Sequence, residues 1–225
     1  MSVKKIINVK FWSNYLFIFG AIFCFASCDI MQNSKTDPLL DDALKEQYLG
    51  RSAWQKPNLV IEKLGDLSHK TVADIGAGTG YFSFRLAFKA EKVIAIDIDP
   101  NMIKLIDLFK TNLPNDIQER IETRLALPEN PKLKDDEVDV VFIMNTIAYI
   151  DNPQKYLAQL KPKMKEGGIV MIVDYKSGNL EINAPPTEER ISQETVGQIM
   201  NASGLNIIDN DSETLDYQYI VIGKF

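Results

Sequence analysis

Val72-Ala73-Asp74-Ile75-Gly76-Ala77-Gly78-Thr79-Gly80-Tyr81-Phe82 carries an apolar run of strand length into three glycines at alternate positions, and then into a segment of helical spacing. Branched and small apolar residues bounded by glycine read as a buried strand. Glycine at every second position strips side chains from the turn. The backbone can then bend tightly, and a bulky ligand can lie against it near the positive N-terminal end of the following helix. Outward from this stretch, strand-length apolar runs recur at 71–75, 92–96, 121–125, 138–143, 168–173, 205–209 and 217–222. Helical periodicity falls at 57–65, 81–89, 101–111, 153–164 and 192–203. Such alternation predicts an α/β domain with a mostly parallel sheet of seven strands. Asp99-Pro100 supplies a cap and a proline at the first helical position, and Ser203-Gly204 ends the last helix. Only residues 210–216 separate the final two strands, too few for a helical crossover, so those two pair as an antiparallel hairpin.

A second element agrees with the first. Val93-Ile94-Ala95-Ile96 ends on Asp97, where a carboxylate can accept hydrogen bonds from both hydroxyls of a ribose. Dinucleotide folds space their glycines G-x-G-x-x-G, whereas here Gly80 follows Gly78 by two and Tyr81 stands in the dinucleotide position, which argues against NAD(P) or FAD. The pattern D-x-G-x-G-x-G at Asp74, Gly76, Gly78 and Gly80 resembles the first motif of class I S-adenosylmethionine-dependent methyltransferases. The resemblance extends from about Trp54 to the C-terminus. It implies a Rossmann-like, doubly wound sheet and S-adenosyl-L-methionine as cofactor. It also implies that Asp74 faces the methionine amino group, that Gly76, Ala77, Gly78, Gly80 and Tyr81 form the cofactor turn, and that Asn145 and Thr146 line the mouth past the fourth strand. Residues 163–166 stand as an insertion before the fifth strand relative to the family's short turn. One departure concerns adenine: family members commonly carry an acid just after the third strand, and Arg124-Leu125-Ala126-Leu127-Pro128 has none. Apolar packing by Ile98 and Leu125, or backbone groups, must then recognise the base.

The remaining composition excludes several chemistries. Lys and Arg total 25 against 31 Asp and Glu, a net charge of −6, and no basic stripe appears that could neutralise a run of phosphates. Nucleic acid is therefore not an expected partner. One histidine, His69, and two cysteines, Cys24 and Cys28, leave no material for a zinc site, a His-centred triad or a disulfide framework. Asp135-Asp136-Glu137 reads as a solvated turn, and no metal site is expected.

The N-terminus reads as separate from the domain. Lys4, Lys5 and Lys10 precede the apolar run 15–26, and Phe25-Ala26-Ser27-Cys28 follows, which is the pattern of a secretory leader. That tetrapeptide resembles the lipobox of bacterial lipoproteins, with Phe25 where the family usually has Leu. The resemblance implies a signal peptide over 1–27, a lipidated Cys28 and a polar tether over 28–38, so that the domain at 39–225 is membrane-associated and exported. An uncleaved helical anchor is the rival reading, and either one attaches the chain to a membrane.

Methyl transfer from a sulfonium is an in-line displacement in which positioning supplies much of the catalysis. Tyr48, Trp54, Tyr81, Asn145, Tyr149 and Tyr175 fall near the expected mouth, and none is singled out as a catalytic base. The expected activity is methyl transfer to a small-molecule or lipid-like acceptor. The alternative is an exported, membrane-tethered protein that keeps the fold and binds a ligand without catalysis.

Overall fold

A computed structural model describes residues 50–225. The leader, Cys28, the tether and Tyr48 lie outside the described residues. Residues 50–55 are helical, and α1 (Pro57–Glu62) follows them. Then come β1 (Thr71–Ile75), α2 (Tyr81–Ala87), β2 (Lys92–Asp97), α3 (Pro100–Lys110), α4 (Asn115–Gln118), β3 (Ile121–Leu125), β4 (Val138–Met144), α5 (Pro153–Ala158), β5 (Met164–Tyr175), α6 (Gln193–Ala202), β6 (Asn206–Asp211) and β7 (Gln218–Lys224). The seven strands form one sheet in the order β3-β2-β1-β4-β5-β7-β6. All neighbours run parallel except β7, which is antiparallel to both β5 and β6. The α/β class, the doubly wound seven-stranded sheet and the closing hairpin expected from the sequence are all present.

Residue chemistry accounts for the elements. The four residues of β1 from Val72 to Ile75 are all buried, as central parallel strands covered on both faces require, while the edge strand β6 alternates between exposed and half-buried positions. Asp99 caps α3 by accepting from the Asn101 N–H at 2.8 Å, Asn152 caps α5 through the Lys155 N–H at 3.0 Å, and Ser192 caps α6 through the Thr195 N–H at 3.1 Å. Caps of this kind stabilise a helix by about 1 kcal/mol each.

Two boundaries differ from the sequence expectation by more than three residues. The helix expected over 153–164 stops at Ala158, and a 3-10 turn at Lys161–Lys163 follows. Pro162 explains this, because it has no N–H to donate to the Ala158 carbonyl and so cannot continue the α-helix. Strand β5 begins at Met164 rather than at residue 168. Between Val138↔Met164 and Val140↔Ile169, β4 advances two residues while β5 advances five, so the residues inserted before this strand are absorbed as a bulge. Gly168 makes the bulge possible, since a Cβ there would stand 2.9 Å from the Asp139 carbonyl oxygen.

The topology also places the site. From β1 the chain winds outward through β2 to β3, then returns to lay β4 on the other side of β1. At that reversal the loops after β1 and β4 diverge, and a crevice opens at the carboxyl ends of the strands.

Candidate active site

The glycine turn sits at this reversal and is held from below. The N–H groups of Gly76 and Ala77 both donate to the Ile96 carbonyl, at 2.9 and 3.0 Å, and so tie the turn to the end of β2. Gly76 has φ +76°, and a Cβ built on it would overlap the Thr146 side chain, with Cγ2 at 2.6 Å; the loops after β1 and β4 therefore touch here. Gly78, with φ +56°, is the opposite case: a Cβ there meets nothing within 4 Å. The turn thus leaves an open cradle above Gly78, where a ligand can approach bare backbone.

Asp97 closes one side of the cradle. Its Oδ2 accepts the Gly78 N–H at 2.8 Å and its Oδ1 accepts the Asp99 N–H at 3.0 Å. Each oxygen keeps acceptor capacity for a further donor, as two vicinal hydroxyls would require. Burial raises the Asp97 carboxyl above its ordinary range, while the backbone N–H groups of Asp99, Gly78 and Ile98 oppose that shift. Beside it, Ile98 is 57% exposed, and Leu125 and Leu127 are 44% and 45% exposed. These side chains give the end of the crevice near β2 and β3 an apolar wall. It suits a flat heterocycle and stands where the missing acid would be. Arg124, next to Leu125, is committed elsewhere, to Glu137 at 2.7 Å and to Glu122.

Asp74 lies under the other side, buried, with the Ser83 hydroxyl donating to its Oδ2 at 2.5 Å. Desolvation dominates its chemistry. Despite the Ser83 bond, and helped by the charge of Asp97, its carboxyl is pushed up to about 7. Both protonation states are therefore accessible near neutrality. Gly80 ends the turn with φ +86°, and Tyr81 begins α2. The Tyr81 ring is buried, with the Arg85 guanidinium 3.7 Å and the Arg51 guanidinium 4.5 Å from its centroid, and its hydroxyl is 2.9 Å from Ser52 Oγ. The structure thus places Tyr81 as the pin that holds residues 50–55 beside the turn.

Asn145 follows β4 at φ +54°, a left-handed conformation that asparagine tolerates better than most residues. Gln218 on β7 donates to its side-chain oxygen at 2.5 Å, and its amide nitrogen donates to the Tyr175 hydroxyl at 3.4 Å. Gln55 in turn donates to Gln218 Oε1 at 3.1 Å, and both glutamines are fully buried. Trp54 meets Tyr175 and Tyr217 with centroid separations of 6.3 and 6.1 Å. Of the aromatics expected near the mouth, Trp54, Tyr149 and Tyr175 therefore stand close to β4 and β5.

Sequence reasoning missed Gln55, Gln218, Ser83 and Asp174. The two glutamines leave no local signal, because the amide partners that tie each to the site are more than 70 positions away. Asp174 had one: it ends Ile169-Val170-Met171-Ile172-Val173 as Asp97 ends β2. His69 is exposed on the loop before β1, in keeping with a solvent position. Among the described residues no group of three or more His, Cys, Asp or Glu could hold a metal ion.

Residues 73–172, which begin inside β1 and end inside β5, match the family model described as a methyltransferase domain. That stretch of the chain is similar to a methyltransferase domain. A crystal structure of a SAM-dependent methyltransferase from Aquifex aeolicus is similar to 84% of this chain and 98% of its own, at TM-score 0.73 and 26% identity. Two curated relatives match at 30% identity. Phosphoethanolamine N-methyltransferase 1 of Triticum aestivum aligns over 58% of this chain and 27% of its own length, and the 23S rRNA (cytidine-2'-O)-methyltransferase TlyA of Campylobacter jejuni over 59% and 53%. This chain thus spans about a quarter of one and about half of the other. These comparisons support S-adenosylmethionine as the cofactor, and the open cradle, the Asp97 carboxylate and the apolar wall fit it. The names of the relatives cover a small phosphorylated amine and a ribosomal RNA, so they leave the acceptor class open.

Proposed function

We propose that this protein transfers a methyl group from S-adenosylmethionine to a small-molecule or lipid-like acceptor. The observation that carries the reading is the joint between Gly78 and Asp97: open space above a bare glycine backbone, bounded by a carboxylate that already accepts the glycine's N–H. Asp97 would hold the ribose hydroxyls, Ile98 and Leu125 would pack on the adenine, and Asp74 with Asn145 would stand at the methionine end. The cofactor, when bound, supplies an electrophilic methyl carbon on a positively charged sulfur. The chain's own residues orient it toward the loop after β4 and keep the approach aligned. The net charge of −6 favours a small acceptor over a nucleic acid.

Calorimetric titration of S-adenosylmethionine into the full chain tests this reading. The parent is expected to bind, and Asp97→Ala to bind roughly 10- to 100-fold more weakly, the worth of one or two hydrogen bonds to a charged group. A folded parent that binds no S-adenosylmethionine would overturn the proposal in favour of a ligand-binding protein on the same fold.

The membrane attachment rests on the leader and on Phe25-Ala26-Ser27-Cys28, since no helix among the described residues is long and apolar enough to cross a membrane. Mass spectrometry of the protein from its host is expected to find Cys28 lipidated at a new N-terminus. An intact Met1 would sink that idea.

A further inference from the structure

Asp174 is the one buried side chain among the described residues with a polar atom lacking a hydrogen-bond partner. It ends β5 in register with Tyr219 of β7, and it is 3% exposed. Its Oδ1 accepts the Tyr175 N–H at 2.8 Å, and Oδ2 meets no donor. An orphaned carboxylate oxygen in a dry site is costly, and a native fold keeps one where something else is to supply the donor.

The surroundings narrow that donor. Tyr219 lies opposite Asp174 on β7, and burial together with the Asp174 charge raises the phenols of Tyr149, Tyr175 and Tyr219 above their ordinary range. The other charged groups near these rings are Arg51, Arg190 and Glu189. Both arginines are engaged: Arg190 donates to the carbonyls of Pro185, Lys176 and Gly178, and Arg51 donates to Gln55 and stacks on Tyr81. Among the described residues no cation is therefore paired with Asp174. Asn145 bridges this cluster to the cofactor cradle through Tyr175. Burial pushes the Asp174 carboxyl up to about 6, so it is mostly ionised at pH 7 and can still take up a proton.

We propose that Asp174 Oδ2 is the binding and proton-accepting group for a small amine acceptor, held as its ammonium form among Tyr149 and Tyr175. This deepens the methyltransferase reading and rests on it. The ammonium N–H bond breaks, its electron pair stays on nitrogen, and the proton passes to Asp174 Oδ2. The nitrogen lone pair then forms the new N–C bond as the S–C bond breaks with its pair left on sulfur. The products are a methylammonium ion and S-adenosylhomocysteine, and Asp174 returns its proton to solvent.

The test titrates 2-phenylethylamine, and separately the uncharged 2-phenylethanol, into the full chain saturated with S-adenosylhomocysteine. The amine is expected to bind at least tenfold more tightly than the alcohol at pH 7.5, and to weaken as pH falls through about 6, where Asp174 takes a proton. Asp174→Asn keeps an acceptor for the Tyr175 N–H and is expected to bind S-adenosylhomocysteine as the parent does. It should lose at least tenfold in amine affinity and lose the pH dependence. Equal binding of the two probes, an amine affinity unchanged in Asp174→Asn, or no amine binding by a parent that binds S-adenosylhomocysteine would overturn the inference alone. Failure of the parent to bind S-adenosylhomocysteine would remove both it and the methyltransferase reading.

Discussion

Gly76 and Gly78 are two residues apart and identical in chemistry, yet they serve different ends. Both have positive φ, which costs any L side chain placed there. Gly76→Ala adds a clash with Thr146, so its defect falls on the fold: a loss of roughly 2–4 kcal/mol, read as a melting temperature lower by about 5–15 °C. Gly78→Ala meets open space and should cost the fold only about 1 kcal/mol. Its methyl group would stand in the cofactor cradle, and S-adenosylmethionine affinity should fall at least tenfold. Thermal melts and calorimetry on the two variants separate these outcomes. Similar melting temperatures with similar affinities would contradict the assignment of the cradle. That the turn suits a cofactor was an expectation from the glycine spacing. Which glycine is bare because of a neighbour and which because of a ligand was not, because Thr146 lies 70 positions away in the chain.

At the scale of elements, the sheet edge at β3 is fastened by charge. Arg124 links Glu122 on its own strand to Glu137 in the loop before β4, and the side chains of Arg124 and Glu137 are only 12% and 13% exposed. The Arg124 guanidinium holds the Glu137 carboxyl down to about 2. A depressed acid stabilises the folded chain fully above its unfolded value of 4.5, and that stability fades as pH falls toward 2. Arg124→Met should therefore lower stability by about 1–3 kcal/mol at pH 7 and by much less near pH 2–3. Denaturant titrations at the two pH values check the sign, and an equal loss at both would refute it. The elements themselves were largely legible: seven strands, their boundaries within a few residues, the Asp99 cap and the helix end at Ser203-Gly204. The sequence expectation failed at Pro162 and at the bulge through Gly168, where a helix and a strand meet across a few residues. There the outcome is decided by how far β5 must travel to regain register with β4.

Across the whole molecule, one buried chain of amides joins three distant parts. Gln55 from residues 50–55, Gln218 from β7 and Asn145 after β4 bond in series, the first pair 163 positions apart. Gln218→Leu would strand the Gln55 amide and the Asn145 oxygen in a dry interior, at a cost of roughly 2–4 kcal/mol. Loosening Asn145 should also weaken S-adenosylmethionine binding, whereas a cavity alone would lower stability without changing affinity. Calorimetry at a temperature where the variant remains folded distinguishes the two. The sequence by itself determined the fold class, the strand count, the direction of the last hairpin, the glycine turn and Asp97. All of these depend on local periodicity, turn chemistry and spacing within about 25 residues. Tertiary structure alone decided that Asp174 lacks a partner, that Tyr81 pins residues 50–55, and that two glutamines hold Asn145. Burial and hydrogen-bond satisfaction belong to neighbours in space, and a chain that winds outward and returns at β4 brings together residues that no local pattern connects.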